Sequence, residues 1–144
     1  MELEISSDQD KLRISDIRAM LSNAFWSLGI TEKEISKGIQ NSALVVGAYK
    51  NKQQVGFLRV VSDKIRFAYI MDVIVSENYR REGISRKMVQ FAMEHNEMKD
   101  VYQWLLRTKD AHGVYEKFGF QKLQDPESWM SLIKPRPDRH DYHG

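Results

Sequence analysis

The chain has 144 residues, of which 42% are hydrophobic and 29% charged, with a formal net charge of +2 and a pI near 8.8. This is the profile of one ordinary globular domain, long enough to bury roughly 70% of the surface its unfolded chain exposes. The charge is too mild to argue for a nucleic-acid partner, and the absence of cysteine excludes disulfides, thiolate metal sites and covalent catalysis on cysteine.

The first residues, MELEISSDQDKLR, hold no apolar leader run. No stretch approaches the ~20 apolar residues of a membrane span. A cytoplasmic protein without a membrane partner is expected. The histidines are too scattered to suggest a metal site. Residues 1–134 are read as a single domain. The tail from 135 to 144, with two prolines and few apolar residues, is expected to fray or lie on the surface.

In chain order, Glu2–Ser6 suits a short strand. Leu12–Leu21 sets Ile14, Ile17, Met20 and Leu21 at helical spacing. The aromatic connection FWSLGI leads to Thr31–Glu34, a capping box that predicts a helix to about Ile39. A β region follows: Ala43–Tyr49, the turn KNKQ, Gln54–Ser62, a turn at Asp63 and Lys64, then Phe67–Val75, read as an antiparallel meander. After Gly83 a helix carries Ile84, Met88, Phe91, Ala92 and His95 on one face. Val101–Arg107 is a short apolar strand. Asp110 is the expected N-cap of a helix bearing Ala111, Val114, Tyr115 and Phe118, ended by Gly119. Phe120–Leu123 and Trp129–Ile133 are read as a closing pair of strands. The order is β-α-α-β-β-β-α-β-α-β-β, an α/β (mixed α+β) fold with a mostly antiparallel sheet and helices on both faces.

The stretch YRREGISRKM gathers Arg80, Arg81, Arg86 and Lys87 around Gly83 where a strand becomes a helix. The unpaired amides and partly positive end of such a helix suit an anion. Gly83 permits close approach and positive φ, Ser85 is small, and the arginines add charge-assisted bonds to phosphate. A plain helix start with solvated cations is the other reading. The pattern is neither GxxxxGK[ST] nor GxGxxG, so triphosphate and dinucleotide binding are disfavoured.

The segment MDVIVSENYRREGISRKMV resembles motif A of the GCN5-related N-acetyltransferases, the GNAT superfamily. There a strand ending in Val leads to (Arg/Gln)-x-x-Gly-x-(Gly/Ala) and a helix, matched by Val75, Arg80, Gly83 and Ser85. TKDAHGVYEKFGF resembles motif B of the same family through Ala111, Val114, Tyr115, Lys117, Gly119 and Phe120. The two motifs lie in the family's order, and the likeness extends through the meander before them. Ser85 stands where Gly or Ala is usual, and Thr108 where an Asn often contacts coenzyme A.

The resemblance implies a GNAT-like fold and transfer of an acetyl group from acetyl-CoA to a primary amine of a small molecule or protein, without metal. It implies that two neighbouring strands, Phe67–Val75 and Val101–Arg107, splay around the pantetheine arm. Val73 and Val75 then offer backbone groups to the arm and thioester. Arg80, Arg81, Glu82, Gly83, Ile84, Ser85 and Arg86 form the pyrophosphate cradle, with Thr108 as a further cofactor contact. By its motif position Tyr115 is the proton donor to the departing thiolate; on spacing alone it completes an apolar helical stripe. Dimers are frequent among such relatives.

The remaining roles keep two readings. Asp72 interrupts an apolar strand, so it needs a partner or a function: a general base acting through water, or an ion pair with Arg59. Arg59 also hints at an anionic group on the acceptor. Phe25 and Trp26 fall where relatives line the acceptor pocket, or else in plain core. His112 and Asp110 are weaker candidates, solvent-facing and capping respectively. Two rival functions stand beside acetyl transfer. One is a non-catalytic acyl-CoA binder or regulator on the same fold. The other is a nucleic-acid module, disfavoured because Tyr79 is the only aromatic among the cations.

Overall fold

A computed structural model describes residues 2–136 and 139. Its sheet has five strands in the order β1-β2-β3-β4-β5: β1 Glu4–Ser6, β2 Leu44–Lys50, β3 Gln53–Ser62, β4 Ala68–Val75 and β5 Trp104–Leu105. The first four pair antiparallel; β5 joins β4 in parallel. Helices α1 (Ile14–Leu21) and α2 (Glu32–Gln40) precede the meander, α3 (Ile84–Glu94) follows it, and α4 is the short His112–Glu116. The expected mixed α/β architecture and the meander are therefore present.

The sheet is buried on both faces. Leu44, Val46, Leu58, Val60 and Ile70 pack with Ile84, Met88 and Val89 of α3. Val45, Phe57 and Ile74 pack with Ile17 and Leu21 of α1 and Ile35 and Ile39 of α2. This explains why β2 reads as an unbroken apolar run: each side chain meets a helix whichever way it points. Helix α3 sits close because β3 has no side chain at Gly56, where a Cβ would lie 3.0 Å from the Met88 methyl. The KNKQ turn is a two-residue hairpin whose central residues, Asn51 and Lys52, both have positive φ, the twist that suits flanking strands.

Three expectations need correction. Asp110 does not cap α4: Ala111 holds that position, and the Thr108 hydroxyl accepts the Ala111 N–H at 3.1 Å. Strand β5 is two residues long because β4 turns away from it beyond Tyr69. The closing strands at Phe120–Leu123 and Trp129–Ile133 are absent among the described residues, where every position from 121 to 136 is exposed. Of the tail, Arg136 and Arg139 bond back to the α1–α2 loop and to α2; the rest of that expectation lies outside the described residues.

Helix α2 opens on the capping box read from the sequence. The Thr31 hydroxyl accepts the Glu34 N–H at 3.2 Å, and Glu34 accepts the Thr31 N–H at 3.1 Å. Replacing Thr31 by Ala should lower unfolding free energy by ~1 kcal/mol, read as a shift of the denaturant midpoint at constant slope.

Candidate active site

Strand β4 organises the site. Opposite β3, Phe57 pairs with Ile74 and Arg59 with Met71, so Leu58 faces two residues, Asp72 and Val73. This is a β-bulge. Asp72 takes the left-handed conformation, φ 59°, and the extra residue resets the strand's alternation. Before it Ala68 and Ile70 face α3; after it Val73 and Val75 do, while Ile74 faces α1 and α2. The β4–β5 ladder has rungs only at Ala68–Trp104 and Tyr69–Leu105. Backbone groups of residues 70–75 on that side therefore have no β5 partner, which gives the parted strands expected of the site, with Val73 and Val75 at the opening.

At the end of β4 the chain makes a single 3-10 turn, Glu77–Tyr79, and enters α3. Gly83 is the N-cap at φ 77°, and no side chain caps the helix. The first intrahelical bond runs from Lys87 N–H to Gly83 C=O at 3.1 Å, so the amides of Ile84, Ser85 and Arg86 precede the helical ladder. Arg81 also has positive φ, 68°. The Arg80 Nε donates to the Val75 carbonyl at 3.1 Å, bracing the turn against the strand. Lys50 ties the turn to the β2–β3 hairpin through Glu82 at 2.7 Å and lies 5.6 Å over the Tyr79 ring. Arg86 folds over the turn, its Nη2 3.8 Å from where a Gly83 Cβ would stand. Among the described residues neither Arg81 nor Arg86 has a carboxylate in ion-pair range. The cradle is thus a bare helix start with two uncommitted cations, a fit for a diphosphate.

On the other face of the sheet, Asp72 holds two partners. Arg59 Nε donates to one oxygen at 2.8 Å and Trp26 Nε1 to the other at 3.0 Å. Of the two readings of Asp72, the ion pair with Arg59 is the one the geometry contains. Arg59 also reaches Ser42 at 3.4 Å, so its charge is largely answered from within the chain. Glu34, Arg59 and Asp72 share a shallow notch with Leu21, Ile30 and Phe57. Phe25 stays 61% exposed, packs edge-on to Trp26 at 5.1 Å and carries Lys109 over its ring at 4.3 Å. That cation–π contact joins the loop after α1 to the loop after β5.

Tyr115 is half-buried against the α3-side core, with its ring edge-on to Phe120 at 5.9 Å. Burial raises its phenol above the usual value, so it stays protonated at neutral pH. Thr108 shapes the turn into α4; its carbonyl also lies 3.1 Å from His112 Nε2. Sequence reasoning missed Lys109, Lys50 and the pair Glu34–Arg139. Each is an ordinary surface-type charge whose partner lies far away in the chain, so spacing carried no signal.

A bulged strand parted from its neighbour, beside a bare helix start, is a frame for an extended ligand with an anionic end. The sequence profile described as "Acetyltransferase (GNAT) domain" matches residues 41–122, more than half of the chain. The protein belongs to the GNAT acetyltransferase family, whose members generally use acetyl-CoA and act on amine acceptors.

Among solved structures, a Xanthomonas campestris protein assigned to the same family shares 32% identity at a TM-score of 0.87, over 94% of this chain and 95% of that one. Lower identities mark shared fold alone. A glucosamine-6-phosphate N-acetyltransferase from Arabidopsis thaliana matches at 18% identity and TM-score 0.63, over 94% and 99%. An aminoglycoside acetyltransferase from an uncultured soil sample matches at 18% and 0.67, over 95% and 100%. Among curated proteins none matches the chain in sequence. Among the described residues no helix is long and apolar enough to cross a membrane, and no cluster of metal-ligating side chains is present.

The charges at the notch can be tested singly. Replacing Asp72 by Ala leaves the Arg59 guanidinium, 19% exposed, without its carboxylate. It should destabilise the fold by ~3 kcal/mol in denaturant titration, whereas Asn, which retains an acceptor and tolerates positive φ, should cost less. The Glu34 carboxyl is held down to about 2, from an ordinary 4.5, chiefly by hydrogen bonds from Arg139. Stability from this pair is therefore complete above pH 4.5 and lost as pH falls toward 2. Glu34→Gln, which keeps the capping-box partner, should flatten that acid limb in pH-dependent melts.

Proposed function

We propose that the protein is an N-acetyltransferase that moves the acetyl group of acetyl-CoA to a primary amine by direct attack in a ternary complex. The observation that carries the reading is the junction of β4 and α3. A strand edge freed from its ladder runs directly into a helix start with unpaired amides, a left-handed glycine and uncommitted arginines.

On this reading the amides from Arg81 to Arg86 hold the pyrophosphate, with Arg80, Arg81 and Arg86 supplying charge. Glu82 fixes the cradle through Lys50, and Ile84 anchors it in the core, where it is 2% exposed. Ser85 adds a hydroxyl beside the phosphates. Val73 and Val75 present backbone groups to the pantetheine arm and the thioester carbonyl, and the Thr108 hydroxyl retains its proton as a donor to the arm.

The amine must arrive neutral. A lysine-like amine has pKa near 10.4, so only about one molecule in a thousand is neutral at pH 7, a cost of about 4–5 kcal/mol. Its nitrogen attacks the thioester carbonyl carbon; the C–S bond breaks as the C–N bond forms; the nitrogen loses a proton and the sulfur gains one. Tyr115 is the donor to sulfur, a phenol kept protonated by burial. Both oxygens of Asp72 are already engaged by donors, so the amine proton is better passed to water at the notch. Asp72 then serves to hold the bulge and the loop bearing Phe25 and Trp26, which line the acceptor side. Arg59, tied to Asp72, keeps one guanidinium edge for an acidic group on the acceptor. Alignment of both reactants can supply ~7–11 kcal/mol of the barrier, which suits a chain without a cysteine to carry the acetyl group. A cytoplasmic setting, where acyl-CoA thioesters are available, fits this chemistry.

The test is free-thiol release from acetyl-CoA across a panel of amines; since the chain has no cysteine, any thiol signal belongs to the cofactor. Gly83→Asp should weaken acetyl-CoA binding by at least about tenfold, or ~1.4 kcal/mol, because a carboxylate and a strained φ replace the cradle. Tyr115→Phe should lower kcat by about a hundredfold with acetyl-CoA affinity unchanged. Unaltered turnover in Tyr115→Phe removes the donor assignment; unaltered affinity in Gly83→Asp removes the cradle.

A further inference from the structure

Beyond the exposed residues that follow Phe120, the chain returns to the helices by two arginines. Arg139 lays one side of its guanidinium on Glu34: Nε donates to Oε1 at 3.0 Å and Nη2 to Oε2 at 2.6 Å. Its remaining nitrogen, Nη1, donates to the Leu28 carbonyl at 3.4 Å. Arg136 Nη1 donates to the Trp26 carbonyl at 3.2 Å. Among the described residues no backbone N–H takes either carbonyl. The loop between α1 and α2 thus turns two carbonyls outward beside a carboxylate. That carboxylate is fixed in orientation, because Glu34 Oε1 also accepts the Thr31 N–H and the Thr31 hydroxyl, each at 3.1 Å.

This set of acceptors fits a planar fork. A carboxylate met side-on takes two parallel N–H groups of a guanidinium, and the Leu28 carbonyl takes a third; an ammonium offers its donors from one point and cannot span them. The site is also sheltered. The Arg139 side chain is 19% exposed, whereas the side chains of the surface pairs Lys11–Glu4 and Lys64–Glu97 are roughly half exposed. Glu34 also lines the notch, whose walls at Leu21, Ile30 and Phe57 are apolar, so a surface for an alkyl stem lies next to the carboxylate. The arm that brings Arg139 here has few other anchors. Trp129, Met130, Leu132 and Ile133 are exposed, and no backbone hydrogen bond joins residues 130–136 to any described residue.

We propose that Glu34 and the Trp26 and Leu28 carbonyls form a binding site for a guanidinium carried on an alkyl stem, and that the chain's own Arg139 occupies it as an intramolecular competitor. A tethered group acts at an effective concentration on the order of millimolar, so a free ligand has to displace the arm before it binds. On the acetyltransferase reading, on which this one step rests, the site selects amine acceptors that also carry a guanidinium.

The probe is butylguanidinium, which has no primary amine to acetylate. It is titrated without acetyl-CoA and followed by NMR at the Gly29 and Thr31 amides; the Gly29 N–H shares a peptide plane with the Leu28 carbonyl. In Arg139→Ala the shifts should saturate with a dissociation constant at least about tenfold lower than in the wild-type chain, where the arm competes. Arg139→Lys, which keeps the charge but loses the fork, should also open the site. Butylammonium should bind Arg139→Ala at least about tenfold more weakly than butylguanidinium. Adding Glu34→Gln, which keeps the capping-box partner, should abolish saturation. Equal affinity in the wild type and Arg139→Ala, equal binding of the two cations, or no saturable shift in either Arg139 variant overturns the proposal and leaves the contact as a clamp on the arm. Because acetyl-CoA is absent, none of these outcomes depends on acetyl transfer.

Discussion

The grip of Arg59 and Trp26 on Asp72 is the constraint on which the rest of the structure depends. A non-glycine residue in the left-handed region costs on the order of 1–2 kcal/mol, and Asp72 is held there at φ 59° by donors to both carboxylate oxygens. Hydrogen bonds to a charged group contribute about 1.5–3 kcal/mol each, enough to offset the strain. The donors come from different places. Arg59 is the neighbour on β3, while Trp26 sits in the loop after α1. A single carboxylate thereby fixes the bulge, the register of β3 against β4, and the position of the loop that overhangs the notch.

The bulge lets one strand serve two sides of the sheet. Without it, Ile70, Asp72 and Ile74 would share a face, and the aspartate would enter the apolar layer beneath α3. With it, Val73 and Val75 fall on the α3 side, next to the helix start, while Asp72 and Ile74 turn toward α1 and α2. The alternation flips midway along the strand, just past the last β5 rung. Lys109 over Phe25 then links the rims on either side of the opening.

Much of this was legible in the sequence where the signal is local. The capping box at Thr31–Glu34, the two-residue turn after Lys50, the left-handed Gly83 and the apolar strands of the meander depend on neighbours within a few positions, and each is where the pattern put it. What failed depended on distant partners. Asp110 looked like a cap because its type suits one, yet the Thr108 hydroxyl takes the Ala111 amide first. Phe120–Leu123 and Trp129–Ile133 have strand composition, but a strand exists only when another edge receives it, and among the described residues none does. The bulge left one trace: apolar residues at Ala68 and Ile70, then at Val73 and Val75, a change of parity around a lone charge. A charge inside an apolar strand is visible from spacing; that it marks the point where inside and outside exchange required the register.

Backbone strain sorts in the same way. Among the described residues, the non-glycine positions with positive φ are Asn51, Lys52, Lys64, Asp72 and Arg81. The first three lie in hairpin turns, where the conformation is set by strand twist and a glycine would serve as well. Asp72 and Arg81 are different, because glycine would relax the backbone but delete a charged side chain. At Asp72 that side chain is the clamp for Arg59 and Trp26. At Arg81 it is a cation without a carboxylate among the described residues, in the same turn as Gly83, where the chain did accept glycine. The two residues of that turn share the left-handed conformation, Gly83 without a side chain and Arg81 with a cation. A net charge of +2 conceals this arrangement, since Lys50 is spent on Glu82 and Arg59 on Asp72. Arg81 and Arg86, without a carboxylate in ion-pair range among the described residues, stand where strand β4 ends and helix α3 begins.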